Sequence, residues 1–141
     1  MRFLLFVLLF STSLQLVSSL TALQESGKGF WLSYLKHHSQ RNPEILHPDF
    51  KYFKNGDFIM NRDPYAKYMR GQSEEEVQKW RGMYEELSKQ SNVQWEQNFK
   101  YFDVQIAGEG LIYFKGPGGR YTLIEARGIE GGYQVLKMEF Y

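Results

Sequence analysis

The apolar residues of this chain change their spacing near Ser91, and that change constrains the fold more than any other feature. Before Ser91 they recur at steps of three and four residues, the period of an amphipathic helix. After Ser91 they alternate with polar residues, the period of a half-buried strand. Helices followed by a run of strands are typical of an α+β domain. We therefore expect an α+β fold with helices packed in a curved antiparallel β-sheet.

The first helix is expected to begin at Thr21, because Thr21-Ala22-Leu23-Gln24 has the pattern of a capping box. Asn42-Pro43 should end it, since the residue before proline avoids helical backbone angles. One face of this helix carries Leu23, Gly27, Phe30, Trp31, Tyr34, Leu35 and His38. Two short strands around the Asn55-Gly56 tight turn should follow.

A second helical region is expected from Asp63-Pro64, an N-cap residue followed by proline. Gly71 should interrupt it, and Ser73 with Glu76 should restart it through a second capping box. The buried stripe of the restarted helix is predicted to be Val77, Trp80, Met83, Tyr84 and Leu87.

The second half of the chain is predicted to be all strand. Residues 93–101 alternate and predict a long strand, and a one-residue change of phase at Phe102 predicts a bulge that bends it. Three more strands are expected at residues 111–115, 121–127 and 133–140, with turns at 116–119 and 131–132. We expect Ala126 to face inward and Glu125 and Arg127 outward, because unpaired charges are rarely buried.

Residues 1–19 have the layout of a secretory signal peptide. Arg2 precedes an apolar run from Phe3 to Phe10, and Val17 and Ser19 favour cleavage before Leu20. A membrane anchor is the alternative, but the apolar run is shorter than the ~20 residues that a span requires. We therefore expect a secreted protein in which residues 20–141 form a single domain.

Composition excludes several classes of site. The chain has no cysteine, so disulfides, thiol catalysis and cysteine-bound zinc are absent. Removing Arg2 lowers Lys+Arg from 17 to 16, which equals the 16 Asp+Glu residues. Because this balance gives no basic excess, we expect neither nucleic acid nor a membrane as a partner after signal removal. No motif predicts a cofactor.

Two segments resemble the nuclear transport factor 2-like family. Phe30-x-x-x-Tyr34 followed by Ile45-Leu46-x-Pro48-Asp49-Phe50 is similar to its opening, and residues 124–127 with 131–135 are similar to its closing hairpin. The resemblance implies a small secreted domain of cone shape, in which a curved sheet wraps around helices and leaves a pocket. A cystatin-like fold is the competing hypothesis, but the cystatin Gln-x-Val-x-Gly loop is missing.

The candidate site residues follow from this cone. The pocket would be lined by Phe30, Tyr34, Tyr84, Trp95, Tyr113 and Leu136. His38 and Asp49 are the candidate catalytic bases, although a histidine on an apolar helix face more often bonds to the backbone. His37, His38, His47 and Asp49 form only a weak metal pattern, because adjacent histidines on a helix point about 100° apart. No metal is therefore expected.

The sequence is compatible with three functions. The first is a non-catalytic binding module for a small apolar ligand or a protein partner. The second, implied by the resemblance, is a ketosteroid-isomerase- or dehydratase-like lyase or isomerase, with Asp49 or His38 as base and a tyrosine as donor. The third is a homodimer that forms through the faces of the sheet.

Overall fold

The computed structural model describes residues 20–101, 105–106, 111–115 and 121–141, and for residues 101, 105–106, 111–115 and 121 it describes the backbone. The expected signal peptide, the bulge residue Phe102 and the turn at 116–119 lie outside the described residues. In chain order the elements are α1 (Ala22–Ser39), a 3-10 turn (Pro43–Ile45), β1 (Leu46–Lys54), β2 (Asp57–Asn61), α2 (Arg62–Arg70), α3 (Glu74–Ser88), α4 (Asn92–Tyr101), β3 (Gln105–Ile106), β4 (Leu111–Lys115), β5 (Tyr121–Ile129) and β6 (Gly132–Phe140).

The six strands form one sheet in the order β2-β1-β6-β5-β4-β3. Four neighbouring pairs are antiparallel, whereas β1 runs parallel to β6. The predicted α+β fold is confirmed, and the sheet is mixed rather than purely antiparallel. The parallel pair is possible because a long connection, rather than a hairpin, joins β1 to β6.

Two breaks in register shape the middle of the sheet. Between β5 and β6 the register shifts after Glu125, and Leu136 is left as an extra residue in β6. Between β1 and β6 the partners are Leu46↔Val135 and then Lys51↔Lys137, so that residues 47–50 lie opposite Leu136 alone. Bulges of this kind bend a strand and increase its twist. The break between β1 and β6 also separates these two strands at residues 47–50.

The helices cover one face of the sheet, and α1 supplies most of their contribution to the core. Phe30, Tyr34 and Leu35 of α1 are buried against Ile124 and Val135 of the sheet. The other core residues are Ile45, Leu46, Phe50, Tyr65, Ala66, Met69, Ala126 and Met138. The predicted orientation of β5 is confirmed, because Ile124 and Ala126 are buried while Arg127 is exposed.

Local sequence signals set several boundaries as predicted. The capping box of α1 is complete: Gln24 N donates to Thr21 Oγ1 (3.1 Å), and Thr21 N donates to Gln24 Oε1 (3.0 Å). Ser73 Oγ accepts from Glu76 N (3.2 Å) at the start of α3. Asn55 and Gly56 both have positive φ, of 51° and 84°, as the predicted two-residue turn requires.

The largest error is at residues 93–101, predicted as a strand and found as helix α4. Ser91 Oγ accepts from Gln94 N (3.3 Å), and Gln94 Oε1 accepts from Ser91 N (2.9 Å), a capping box that starts the helix. The rings of Trp95 and Phe99, one helical turn apart, pack with centroids 5.8 Å apart. The alternation therefore reflected a helix in which these two residues share a face.

Smaller corrections concern the helix faces and one helix start. Helix α2 begins at Arg62 with Asn61 as its N-cap, not at Asp63. Leu23 and Met83 were placed on buried faces but are 43% and 42% exposed. Leu23 lies in the first turn of α1, before the first buried residue of that helix, Gly27.

Candidate functional site

His38 lies at the centre of a buried polar cluster between α1 and α2. Its side chain is 0% exposed. Nδ1 lies 2.8 Å from the carbonyl oxygen of Tyr34, and Nε2 lies 3.2 Å from the hydroxyl of Tyr65. A carbonyl can only accept, so Nδ1 carries the proton and Nε2 accepts from the Tyr65 hydroxyl. Both ring nitrogens are therefore occupied within the protein.

Aromatic rings enclose the same imidazole. Its centroid is 4.1 Å from the Tyr34 ring and 4.7 Å from the Trp80 ring. Burial lowers the pKa of His38 from 6.5 to about 4, and the backbone hydrogen bond to Tyr34 only partly opposes this. His38 is therefore neutral at physiological pH.

The two tyrosines beside His38 are also held in their neutral forms. Burial raises the pKa of Tyr65 to about 12, more than the hydrogen bond with the Tyr34 side chain lowers it. Burial also raises the pKa of Tyr34 well above 10, and the hydroxyl lies 3.9 Å from Met138 Sδ. The cluster is thus an uncharged chain of hydrogen bonds inside the core.

Three of the predicted pocket-lining residues are packed core residues. Phe30, Tyr34 and Trp95 are 2%, 4% and 2% exposed. Phe30 packs on Tyr133 with ring centroids 5.8 Å apart, and Tyr34 stacks on Trp31 at 5.1 Å. Trp95 donates from Nε1 to the carbonyl of Leu87 (3.2 Å). Phe30 and Tyr34 pack against each other as well, with ring centroids 6.0 Å apart, whereas the ring of Trp95 packs on Phe99.

The other three predicted residues lie apart. Tyr84 is half-buried on α3, packed against the edge of the core. The side chain of Tyr113 lies outside the described residues. Leu136 lines a cleft on the outer side of the sheet together with Asp49, the second candidate base. The five predicted positions whose side chains the structure describes are therefore divided between the core, its edge and the outer cleft.

The outer cleft has a volume of about 800 Å³ and opens where β1 separates from β6. Lys51, Glu125 and Lys137 lie in one row across three strands, because Lys51 pairs with Lys137 and Glu125 pairs with Lys137. Their strand neighbours Tyr52, Ile124 and Met138 pack in or against the core, so this row points to the face away from the helices. The first turn of α2 closes one end of the cleft with Arg62 and Asp63.

Arg62 is held in place by the backbone at that end of the cleft. Its Nε donates to the carbonyl of Leu46 (3.3 Å), and its Nη2 donates to the carbonyl of Pro43 (3.4 Å). Nη1 lies 3.8 Å from a carboxylate oxygen of Asp63. Two of these bonds satisfy carbonyls next to the separation of β1 from β6. Arg62 therefore stabilises the shape of the cleft.

The three histidines do not converge. His37 Nδ1 lies 2.7 Å from the carbonyl of Ser33, and His47 Nδ1 accepts from Asp49 N (3.0 Å). Within the described ranges, no group of three His, Cys, Asp or Glu side chains is arranged to hold a metal ion. Across those same residues, no helix combines the length and apolar character needed to cross a bilayer.

The sequence identified Asp49 as a candidate base but did not predict the cleft that it lines. The available signal was Pro48, which cannot donate to a sheet ladder and is confined to edges and irregular positions of strands. The partner strand β6 lies far away in sequence, so the gap itself could not be located from residues 47–50.

Comparisons with known proteins add little to this geometry. No family model matches the chain, and no curated protein matches it. Among solved structures, the chain is similar to a de novo designed protein with a curved β-sheet, at 12% identity and a TM-score of 0.41. That match covers 79% of this chain and 89% of the designed one.

Proposed function

We propose that this chain is a secreted, non-catalytic binding module that holds a small ligand in the cleft between β1 and β6. The observation that carries the proposal is the separation of these two strands over residues 47–50, which opens a cleft of about 800 Å³ lined by charged and apolar side chains. Ligand sites are concave and combine apolar walls with a few polar groups. Pro48, Phe53 and Leu136 supply apolar surface here.

The order of elements supports a further proposal, that the domain is of the nuclear transport factor 2-like kind. A long helix, a short helical turn and a strand pair come first, and helices and then strands β3 to β6 follow. Helix α4 departs from the expected pattern, because it stands where the first long strand was predicted.

The binding proposal is tested by a fragment titration followed with amide NMR. A mixture of small cations, anions and neutral aromatics is added to the 15N-labelled protein. We expect saturable shifts of the amides of β1 and β6 around the cleft. Leu136→Trp should fill the cleft and remove them, whereas Leu23→Trp, an exposed position on α1, should not. Shifts confined to α1 and α3, or no shifts, would overturn the proposal.

The same sample reports the oligomeric state. A homodimer through the sheet would bury Phe58, which is 52% exposed on the edge strand and packs edge-on against Phe53 at 5.8 Å. Sedimentation of the protein at increasing concentration would detect it. If the protein forms a dimer and the cleft amides no longer respond to the fragments, the cleft binds a second copy of the chain rather than a small ligand.

A second candidate function is an isomerase or lyase of ketosteroid-isomerase type. The distance of 3.2 Å between His38 Nε2 and the Tyr65 hydroxyl favours it, because a base and a hydroxyl donor are adjacent. Against it, His38 is closed off from solvent and both its nitrogens are engaged. Exchange of the α-protons of a cyclic ketone in D2O, abolished by His38→Gln, would establish this activity. Exchange at the rate of buffer alone would remove it.

A further inference from the structure

The charged side chains of the cleft differ in whether they are already engaged. Lys137 Nζ lies 2.8 Å from Glu139 Oε1 and 5.1 Å from the centre of the Phe53 ring. Arg62 is bonded to two carbonyls and lies beside Asp63. Two of the three basic groups are therefore neutralised or occupied by their own neighbours.

The carboxylates of Asp49 and Glu125 are free in the described part of the chain. Glu125 is the cross-strand partner of Lys137, which would ordinarily pair with it. Because Lys137 is directed to Glu139 instead, Glu125 is left half-buried at the cleft without an ion-pair partner among the described residues. The Asp49 carboxylate has no hydrogen-bond or ion-pair partner among the described residues either, and its backbone N–H donates to His47 Nδ1.

Lys51 is the one basic group of the cleft with no partner within the described ranges. Two free carboxylates and one free ammonium leave the unengaged groups with an excess of negative charge. The ring of Phe53 and the side chains of Pro48 and Leu136 lie in the same wall. A matching ligand would carry a positive group together with an apolar body.

Resting on the proposed binding function, we propose that the cleft takes a small organic cation, an ammonium or guanidinium group attached to an apolar body. Asp49 and Glu125 bind the cation, Phe53 and Leu136 contact the apolar body, and Lys51 opposes binding. Anions are disfavoured because the two free carboxylates repel them.

Three probes that share a phenylethyl body and carry a positive, neutral or negative polar group test the proposal: 2-phenylethylamine, 2-phenylethanol and 3-phenylpropionate, each titrated by amide NMR. We expect the amine to bind at the cleft most tightly and the carboxylate least. Binding of the amine should weaken as salt is raised, because partly exposed charges are screened. Tighter binding of 3-phenylpropionate at the same amides would overturn the cation assignment while leaving the cleft as a binding site. If none of the three probes bound while other fragments still bound at the cleft, the cation assignment would again be overturned and the cleft would remain a binding site.

Charge-removing variants give the sharper test, because their effects differ in sign. Glu125→Gln and Asp49→Asn should each raise the Kd of 2-phenylethylamine about fivefold, the loss of one partly exposed charge pair. Lys51→Gln should lower it. Glu130→Gln, an exposed carboxylate in the β5–β6 turn outside the cleft, should leave it unchanged. Equal effects of all four variants, or effects of the opposite sign, would refute the assignment. If no fragment bound to the cleft of the wild-type protein, the proposed binding function itself would be refuted.

Discussion

Acidification should destabilise this protein through His38. The pKa of His38 is about 4 in the folded chain, because the neutral ring is buried, and 6.5 in the unfolded chain. As pH falls below 6.5, the unfolded chain binds a proton that the folded chain cannot bind until about pH 4. The stability from the neutral imidazole is therefore fully present above pH 6.5 and is lost as pH falls towards 4. The difference between the two pKa values corresponds to about 3 kcal/mol.

The side chains in contact with the His38 ring do not titrate in this range, and the charge of His37 has the smallest of the three effects on the pKa of His38. Tyr34 and Tyr65 have raised pKa values and stay neutral, and the third neighbour is Trp80. Urea unfolding at pH 4 to 7.5, followed by tryptophan fluorescence, measures the pH dependence. In His38→Gln, the free energy of unfolding should depend less on pH between 6.5 and 4, because the contribution of His38 is removed. His37→Gln, a half-buried neighbour on the same helix, is the matched control and should keep most of the slope, because the charge of His37 has the smallest of the three effects on the pKa of His38.

If His38→Gln and the wild-type chain lost stability in parallel as pH falls, His38 would not be the source of the pH dependence. Should His38→Gln fail to fold, an NMR titration of the histidine Cε1 protons in the wild-type protein gives the same answer. One resonance should then titrate near pH 4. If every histidine resonance titrated near 6.5, the ring would be solvated and the described cluster wrong.

The remaining predictions concern helix stability and are measured by urea unfolding. Gly82→Ala should stabilise the protein by about 0.5–1 kcal/mol, because its added methyl group meets no atom within 4 Å on α3. Gly29→Ala should not, since its methyl group would lie 2.7 Å from the Tyr133 hydroxyl, and Tyr133→Phe should restore the gain. Equal gains at both glycines would contradict this packing. Ser91→Ala should cost about 1 kcal/mol and speed amide exchange in α4, and unchanged exchange would show that the cap does not hold that helix.

The features that the sequence predicts best depend on residues close together in the chain. The capping box at Thr21 and the tight turn at Asn55-Gly56 form as expected, since a few neighbouring residues determine each. The three strands at the C-terminal end were also located, because each alternates between turns rich in glycine.

Helix α4 shows how a local signal can be overlooked. Ser91-Asn92-Val93-Gln94 has the same capping-box pattern as the start of α1. Trp95 and Phe99 are spaced so that they fit a strand face or a helix face equally well. The capping residues decide between the two, so the pattern before the apolar run carried more information than the run itself.

The candidate site could be predicted only in part because its geometry is not local. His38 was correctly placed on the apolar face of α1, but its partner Tyr65 comes from another helix. The cleft depends on which strand lies beside β1, and the single-chain pattern does not reveal that neighbour. Whether Lys137 pairs with Glu125 or with Glu139 depends on the geometry of their side chains on the outer face of the sheet.

The parallel pairing of β1 with β6 also has a consequence for the order of folding. Strand β6 lies between β1 and β5, so β1 and β2 have no further strand to join until β6 is in place. An isolated two-stranded hairpin is marginal in water. Contacts between residues so distant in sequence slow folding, since a long loop must close first. We expect β1 and β2 to be protected from hydrogen exchange late during refolding, together with β6, even though they are made early in synthesis.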